Sequence, residues 1–379
     1  MSCILGIETS CDETAAAVVD AGLRVRSSVV ASQYELHAEY GGVVPEIASR
    51  AHLERILPVV QTALREAGLG VEEIDAVAVG IRPGLIGSLL VGASVAKALA
   101  WSLDKPFHAV DHVAAHLFAG LLRPASAKMD SDSAPLAPPR RALGLVVSGG
   151  HTSLFRLDGA GSATLLGRTI DDAIGEAFDK AATMLGFPHP GGPNLERAAE
   201  GGDTSALRST LPRLGNPLDF SFSGLKTKLP YEIRGVPQGR GAQTVFARSL
   251  ADLDARRRTD LAASFQRAAI AQVIDRLDAA ADCEAAASNS TGVLESVFVG
   301  GGVVANRALR AALVEWSARR GLRLVVPEPR FCGDNAAMIA GYAALLRADS
   351  SAIASGDDLS VPAEPVSLLA RGVLPKRVH

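Results

Sequence analysis

Short apolar runs alternate with longer stretches of helical period along most of this chain, the pattern of α/β layers. The short runs predict strands at 3–7 (CILGI), 15–19, 76–81, 108–110, 143–147, 153–157, 296–300 and 322–326. Between them, apolar positions at helical spacing predict helices over 45–67, 87–103, 112–122, 171–186, 260–287, 305–320 and 334–347. The stretch RPASAKMDSDSAPLAPPRR, 123–141, has neither period and is rich in Pro, Ser and charge, so it reads as a linker or surface loop. It divides the chain into 1–122 and 142–348, followed by a tail over 349–379.

The two parts begin alike. ILGIETSCDETAAAVVD (4–20) and LGLVVSGGHTSLFRLD (143–158) are each an apolar strand, a small-residue turn bearing hydroxyls, and a second strand. A repeat at this spacing predicts duplicated halves facing a cleft, each offering a turn whose N–H groups can hold phosphate oxygens. A third glycine-rich site, SVFVGGGVVANRALRAAL (296–313), runs strand, turn, helix; Gly300, Gly302 and Ala305 satisfy G-x-G-x-x-A, and Glu328 follows the next strand. That spacing suits a dinucleotide fold as a rival reading, although the motif sits near the end of the chain. A tight packing turn is the plain alternative.

Length changes the picture little: 379 residues bury a large core and suit two domains. Charge changes it more. A net charge of −3 is no nucleic-acid signature, so any such contact needs a local patch or a partner chain. The segment 205–258 offers one: Arg208, Arg213, Lys226, Lys228, Arg234, Arg240 and Arg248 face only Asp219 and Glu232 between 205 and 248. A solvated mobile loop would read the same way. Cys3, Cys11, Cys283 and Cys332 show no C-x-x-C spacing, which argues against a zinc knuckle or disulfide framework and suits a reducing cytoplasm. Glu8, Asp12 and Glu13 stand where an export signal needs a basic then apolar run, and the apolar segment 84–101 is interrupted by Lys97, so neither export nor a membrane span is expected.

Candidate chemistry begins with VDHVAAHLF. On a helix, His112 and His116 share one face and can point at one atom, although two core histidines give the same string. The zinc-peptidase pattern H-E-x-x-H is absent, because Val113 replaces its general base. Asp334, in RFCGDNAAM, is a candidate third ligand and equally a candidate helix N-cap. Two His and one carboxylate admit iron or zinc. In VVSGGHTS, Gly149 and Gly150 allow close backbone approach and His151 can bond a phosphate or carbonyl; no G-x-S-x-G elbow points to a serine nucleophile. Asp171 and Asp172 suit a helix start, whereas Asp179 lies mid-helix, where a ribose hydroxyl is one partner and solvent another. FPHPGGPNLE (187–196) reads as a rigid turn against which a base or sugar can lie.

Taken in order, GIETSCDET (6–14), HAEYGGVVPEIASRAH (37–52), PGLIGSLLVG (83–92), DHVAAHL (111–117), VVSGGHTSL (146–154), IDDAIGEAFDKAA (170–182), PGGPNLE (190–196), DFSFSGLKT (219–227), GGGVVANRALR (300–310) and CGDNAAMIA (332–340) resemble one family closely. It is that of the universal tRNA adenosine threonylcarbamoyltransferases, formerly called O-sialoglycoprotein endopeptidases. The resemblance implies an α/β, duplicated actin/hexokinase/Hsp70-like (ASKHA, RNase H-like) fold of two subdomains around a central cleft. It implies transfer of a threonylcarbamoyl group from threonylcarbamoyl-AMP to the N6 amine of adenosine-37 in tRNAs reading ANN codons. It also implies one divalent metal ion per subunit, iron in preference to zinc, held by His112, His116 and Asp334.

By the same match, Val146, Val147, Ser148, Gly149 and Gly150 hold the phosphate and carbamoyl part, and Asp179, Gly192, Glu196 and Asn306 hold ribose and adenine. Asp12, Glu13 and His151 are placed near the reacting groups, and Lys226 near the tRNA. Implied partners are a shorter paralogous subunit of the same fold and a P-loop ATPase, with a separate synthase making the adenylate in the cytoplasm. Arg82 stands where the family usually has a small residue, and 123–141 and 228–258 are long for it. A non-catalytic nucleotide-binding scaffold, a metallopeptidase and a sugar-kinase-type ATPase are the alternatives. An intact His112, His116 and Asp334 set argues against the first, and the missing Glu at 113 against the second.

Overall fold

The computed structural model describes residues 2–40, 42–126, 141–236, 246–286, 293–348 and 358–369. The sequence alternation becomes two sheets. In the first half, β1 (Cys3–Glu8), β2 (Glu13–Asp20) and β3 (Arg24–Ser32) form an antiparallel meander. Then follow α1 (Tyr34–Ala38), α2 (Pro45–Ala67), β4 (Ala76–Arg82), α3 (Ile86–Ser102), β5 (Phe107–Asp111), α4 (His112–Phe118) and the two-residue β6 (Arg123–Pro124). Helix α2 spans the predicted range because its signals agree: Pro45 occupies the first turn, and Gly68 closes the end at φ 69°, in the left-handed region glycine adopts without strain.

The second half repeats the plan. β7 (Ala142–Val147), β8 (Thr152–Leu157) and β9 (Ala163–Arg168) form a second antiparallel meander. Next come α5 (Ile174–Met184), α6 (Gly191–Ala198), α7 (Ser223–Arg234), α8 (Ala255–Ala286), β10 (Ser296–Gly300), α9 (Arg307–Arg320), β11 (Arg323–Val325) and α10 (Ala336–Ala348). Strand order is β5-β4-β1-β2-β3-β6 in the first sheet and β11-β10-β7-β8-β9 in the second. Apart from β6, the orders are the same, with two parallel strands added beside the first strand of each meander. The duplication read from the two hairpins is therefore a duplication of whole sheets. A Rossmann reading of Gly300, Gly302 and Ala305 is overturned by the same topology, because β10 belongs to a mixed sheet containing an antiparallel meander.

The halves are laced together. Helix α4 leaves the first sheet and packs on β7 and β10 of the second, while α10 follows the second sheet and packs on β1, β2 and β4 of the first. Gly6 makes the second crossing possible, since a Cβ there would collide with the Ala336 carbonyl and the Ala340 side chain. Val110, Val113 and Leu117 share one buried cluster with Phe298, Ile339 and Ala343, a core built from both halves.

Several expectations need correction. Strands β3 and β9 and helices α1, α6 and α7 were not anticipated. Of the expected Gly/Pro turn at 187–196, the part from Gly191 onward is the start of α6, with Pro193 in the first turn, where its missing N–H has no helical partner to lose. Helix α5 starts at Ile174, so Asp171 and Asp172 precede it; Asp171 accepts bonds from Ser221, Phe222 and Ser223, and Asp172 pairs with Lys180 and Lys226. The expected loop at 123–141 begins inside the fold, with Arg123 and Pro124 paired in parallel to β3, while 127–140 lies outside the described residues. The basic segment carries α7, whose Leu225, Leu229 and Ile233 are buried; 237–245 is likewise outside the description. No helix among the described residues is long and apolar enough to cross a membrane.

Candidate active site

Both hairpin turns open into one cleft of about 820 Å³ between the sheets. Ser10, Cys11, Asp12 and Glu13 line it from the first turn and Ser148, Gly149, Gly150 and His151 from the second. The second turn is fixed by its own atoms: Ser148 N donates to His151 O (2.8 Å), and His151 N donates to Ser148 Oγ (3.1 Å). Asp179, Gly192, Glu196, Asn306 and Asp334 complete the wall, with Tyr34, His37, His189 and Pro83–Leu85 at other edges.

Helix α4 starts where β5 ends, and Asp111 caps it, its Oδ1 accepting from Val113 N (3.0 Å) and Ala114 N (3.3 Å). One helical turn then places His112 and His116 together, their rings 4.6 Å apart and perpendicular. Asp334 Oδ1 lies 3.4 Å from His112 Nε2 and 3.1 Å from His116 Nε2. The competing role for Asp334 is taken by Asn335, whose Oδ1 accepts from Met338 N (3.0 Å) at the start of α10. Asp334 is thus free of capping and turned toward the histidines.

Behind His112 stands a buried carboxylate. Glu8 Oε2 accepts from Nδ1 at 3.1 Å and Ser10 Oγ is 3.3 Å from the same nitrogen, so Nε2 is the atom left facing Asp334. A carboxylate behind a ligand histidine is the usual means of fixing its tautomer and orientation. The three ligand atoms lie within 4.8 Å of one another, and Gly300 lets β10 pack directly on the His116 carbonyl. Two imidazoles and one carboxylate, convergent and braced, fit a divalent metal ion.

Charges follow from the geometry. Burial opposes ionisation of His112, but the Asp334 and Glu8 carboxylates prevail and hold its pKa well above the ordinary value. Asp334 likewise overcomes burial and sits well below the usual carboxylate range beside His112 and His116. His116 is pushed down by burial and by His112. Burial, with the two histidines nearby, lowers His151 to about 4, so it is neutral at pH 7. Glu13 is raised to about 9 by burial and by the carboxylates of Asp334, Asp12 and Glu8, so it carries its proton at neutral pH.

Not every expected contact has a free side chain here. Val146 and Val147 are fully buried in the central strand β7, covered on both faces, and leave the lining to Ser148–Gly150. His116 is buried behind His112. Asp179 Oδ1 accepts from Gly192 N (2.9 Å), which joins two expected contacts. Glu196 Oε1 accepts from the Arg307 backbone N and Nε, and Asn306 caps α9 and donates to Gln266 Oε1 (2.8 Å). Lys226 is held by Asp172 at 2.7 Å. Sequence reasoning missed Glu8 and Ser10; the available signal was a carboxylate ending an otherwise apolar strand, CILGIE.

Two copies of one sheet plan around a cleft that carries a His-His-Asp group define a protein of the actin/hexokinase/Hsp70-like fold class with a candidate metal centre. Among solved structures, full-length HypF shares this fold, with a TM-score of 0.54 at 13% identity over 93% of this chain and 47% of that one. Residues 24–341 match the family model of tRNA N6-adenosine threonylcarbamoyltransferase, and the chain belongs to that family. Relatives of that name from Symbiobacterium thermophilum and Trichlorobacter lovleyi are both 48% identical; the match spans 89% of this chain in each case, and 90% and 89% of the relatives. The protein is therefore an acyltransferase of tRNA threonylcarbamoylation.

Proposed function

We propose that the protein moves the threonylcarbamoyl group from threonylcarbamoyl-AMP to the N6 amine of adenosine-37 in tRNAs reading ANN codons. The bond from N6 to the carbamoyl carbon forms, the bond from that carbon to the phosphate oxygen breaks, and AMP leaves while the amine gives up a proton. The amine is a weak nucleophile because its lone pair is delocalised into the ring, so positioning and charge stabilisation carry the reaction. One observation supports this most: His112 and Asp334 of the His-His-Asp group, the Ser148–Gly150 turn and the joined Asp179 and Gly192 open into the same 820 Å³ space.

A divalent ion held by His112, His116 and Asp334, iron rather than zinc, would supply Lewis-acid polarisation of the carbamoyl carbonyl. The backbone of Ser148–Gly150 takes the phosphate and carbamoyl part. Asp179 and Gly192 take the ribose, with Glu196 and Asn306 at the adenine end. Glu13 lines the cleft near the reacting groups, neutral His151 orients the carbamoyl group, and Asp12 lies beside the amine. The enzyme works in the cytoplasm with a shorter paralogous subunit and a P-loop ATPase. The test is nucleoside mass spectrometry on tRNA from cells depleted of the protein and complemented by wild type or by His112→Ala/His116→Ala. Wild type alone should restore threonylcarbamoyladenosine; restoration by both removes the metal role, and no loss on depletion removes the transferase role.

A further inference from the structure

Residues 358–369 cross the first half as a strap against the ends of β4 and β5. Lys97 Nζ donates to Val361 O (2.7 Å), Glu364 N donates to Ile81 O (2.9 Å), and Arg82 pairs with Glu364 at 3.5 Å. Arg82, the residue that departs from the family's small one, thus has a partner within this strap. Pro365 then lines the cleft. Further on, Ser367 Oγ donates to Asp111 Oδ2 (2.7 Å) and so does Leu368 N (3.2 Å). Ser367 is 1% exposed, and Leu369 is buried in the same core as Val110 and Val113.

These contacts meet at a sensitive point. Helix α4 has only seven residues, and His112 is the first of them. A short helix is marginal alone and frays from its first residue, so the cap holds the ligand in place. Asp111 is that cap, with one carboxylate oxygen on the helix N–H groups and the other held by two donors from the strap. A ligand set must be held within about 0.5 Å of its working geometry, and the Asp111 cap is what fixes the first turn that carries His112.

We propose that Ser367 is a positioning residue for the metal centre: through Asp111 it sets His112, making the C-terminal strap a working part of the active site. This rests on the reading of His112, His116 and Asp334 as metal ligands. The test is Zn²⁺ titration of the metal-free, full-length protein against a chromophoric chelator, with thermal melts alongside. Ser367→Ala should weaken Zn²⁺ binding about 3- to 30-fold, less than or comparable to the loss of a direct partner of a ligand. Leu313→Ala, in the second-half core away from the strap, should lower the melting temperature at least as much and leave Zn²⁺ affinity within about two-fold. Ser367→Ala binding within two-fold of wild type, or both variants weakening binding alike, overturns the proposal. A wild-type protein that binds no Zn²⁺ overturns the ligand reading as well, which separates the two failures.

Discussion

Replacing Glu8 by Gln tests the brace behind the metal centre more sharply than deleting it. The carboxylate is fully buried and accepts at both oxygens, from Ser10 N (2.6 Å) on Oε1 and His112 Nδ1 (3.1 Å) on Oε2. Gln keeps the shape but offers one acceptor and one donor, so one of these two N–H groups must face another. A buried donor left unsatisfied costs about 1–3 kcal/mol. If the side chain keeps its bond to Ser10, His112 must turn, and Zn²⁺ affinity should fall about 10- to 100-fold, the same energy seen in binding. If it keeps His112, the loss appears in stability instead. Zn²⁺ titration and thermal melts on one sample therefore capture both routes. The pH dependence has a definite sign: the raised His112 pKa gives stability that is complete below the ordinary value of about 6.5 and fades as pH rises through the higher folded value. The gap between wild type and Glu8→Gln in the metal-free protein should therefore be widest in acid and narrow with rising pH. Unchanged affinity with an unchanged melt would refute the role of Glu8.

Two further predictions concern the cleft walls. Glu13, raised to about 9, favours its protonated form in the fold; its contribution is complete below about 4.3 and is lost as pH rises toward 9. Glu13→Gln should melt like wild type at pH 4 and increasingly above it toward pH 9, measured by thermal scans across that range. Gly300→Ala would drive a Cβ into the His116 carbonyl, a backbone atom that cannot yield, and should destabilise by at least about 1–3 kcal/mol while weakening Zn²⁺ binding. A melt within one degree of wild type would show that β10 and α4 are not in close contact.

The sequence made the regular elements legible where several local signals agreed. Helix α2 has its apolar period, Pro45 and Gly68, and β1, β4 and β7 are apolar runs because both faces are covered. Strand β3 escaped because RVRSSVVAS is half exposed and its apolar positions are broken by serines. Helices α6 and α7 escaped because Gly191-Gly192-Pro193 and Pro230 read as breakers, whereas packing of Leu195, Leu225 and Leu229 overrides them. At the site, spacing brings out the His112 and His116 pair and offers Asp334 as one candidate ligand, while the set as a whole comes from the family resemblance. The brace from Glu8 is not legible there, because it spans 104 residues and depends on how β1 and β5 are arranged on either side of β4 in one sheet. Separations of 111 and 40 residues likewise hide the engagement of Glu196 with Arg307 and of Asn306 with Gln266.

The lacing of the halves gives the His-His-Asp group its place. His112 and His116 ride on α4, the arm that the first sheet extends onto β7 and β10 of the second. Asp334 sits just before α10, the arm that the second half sends back onto β1 and β2. The ligands therefore meet where the two arms cross, and glycines at both crossings, Gly300 against His116 and Gly6 against Ala336, let backbones approach where any side chain would hold them apart. An ion bound by all three residues would favour the arrangement that brings the two arms together.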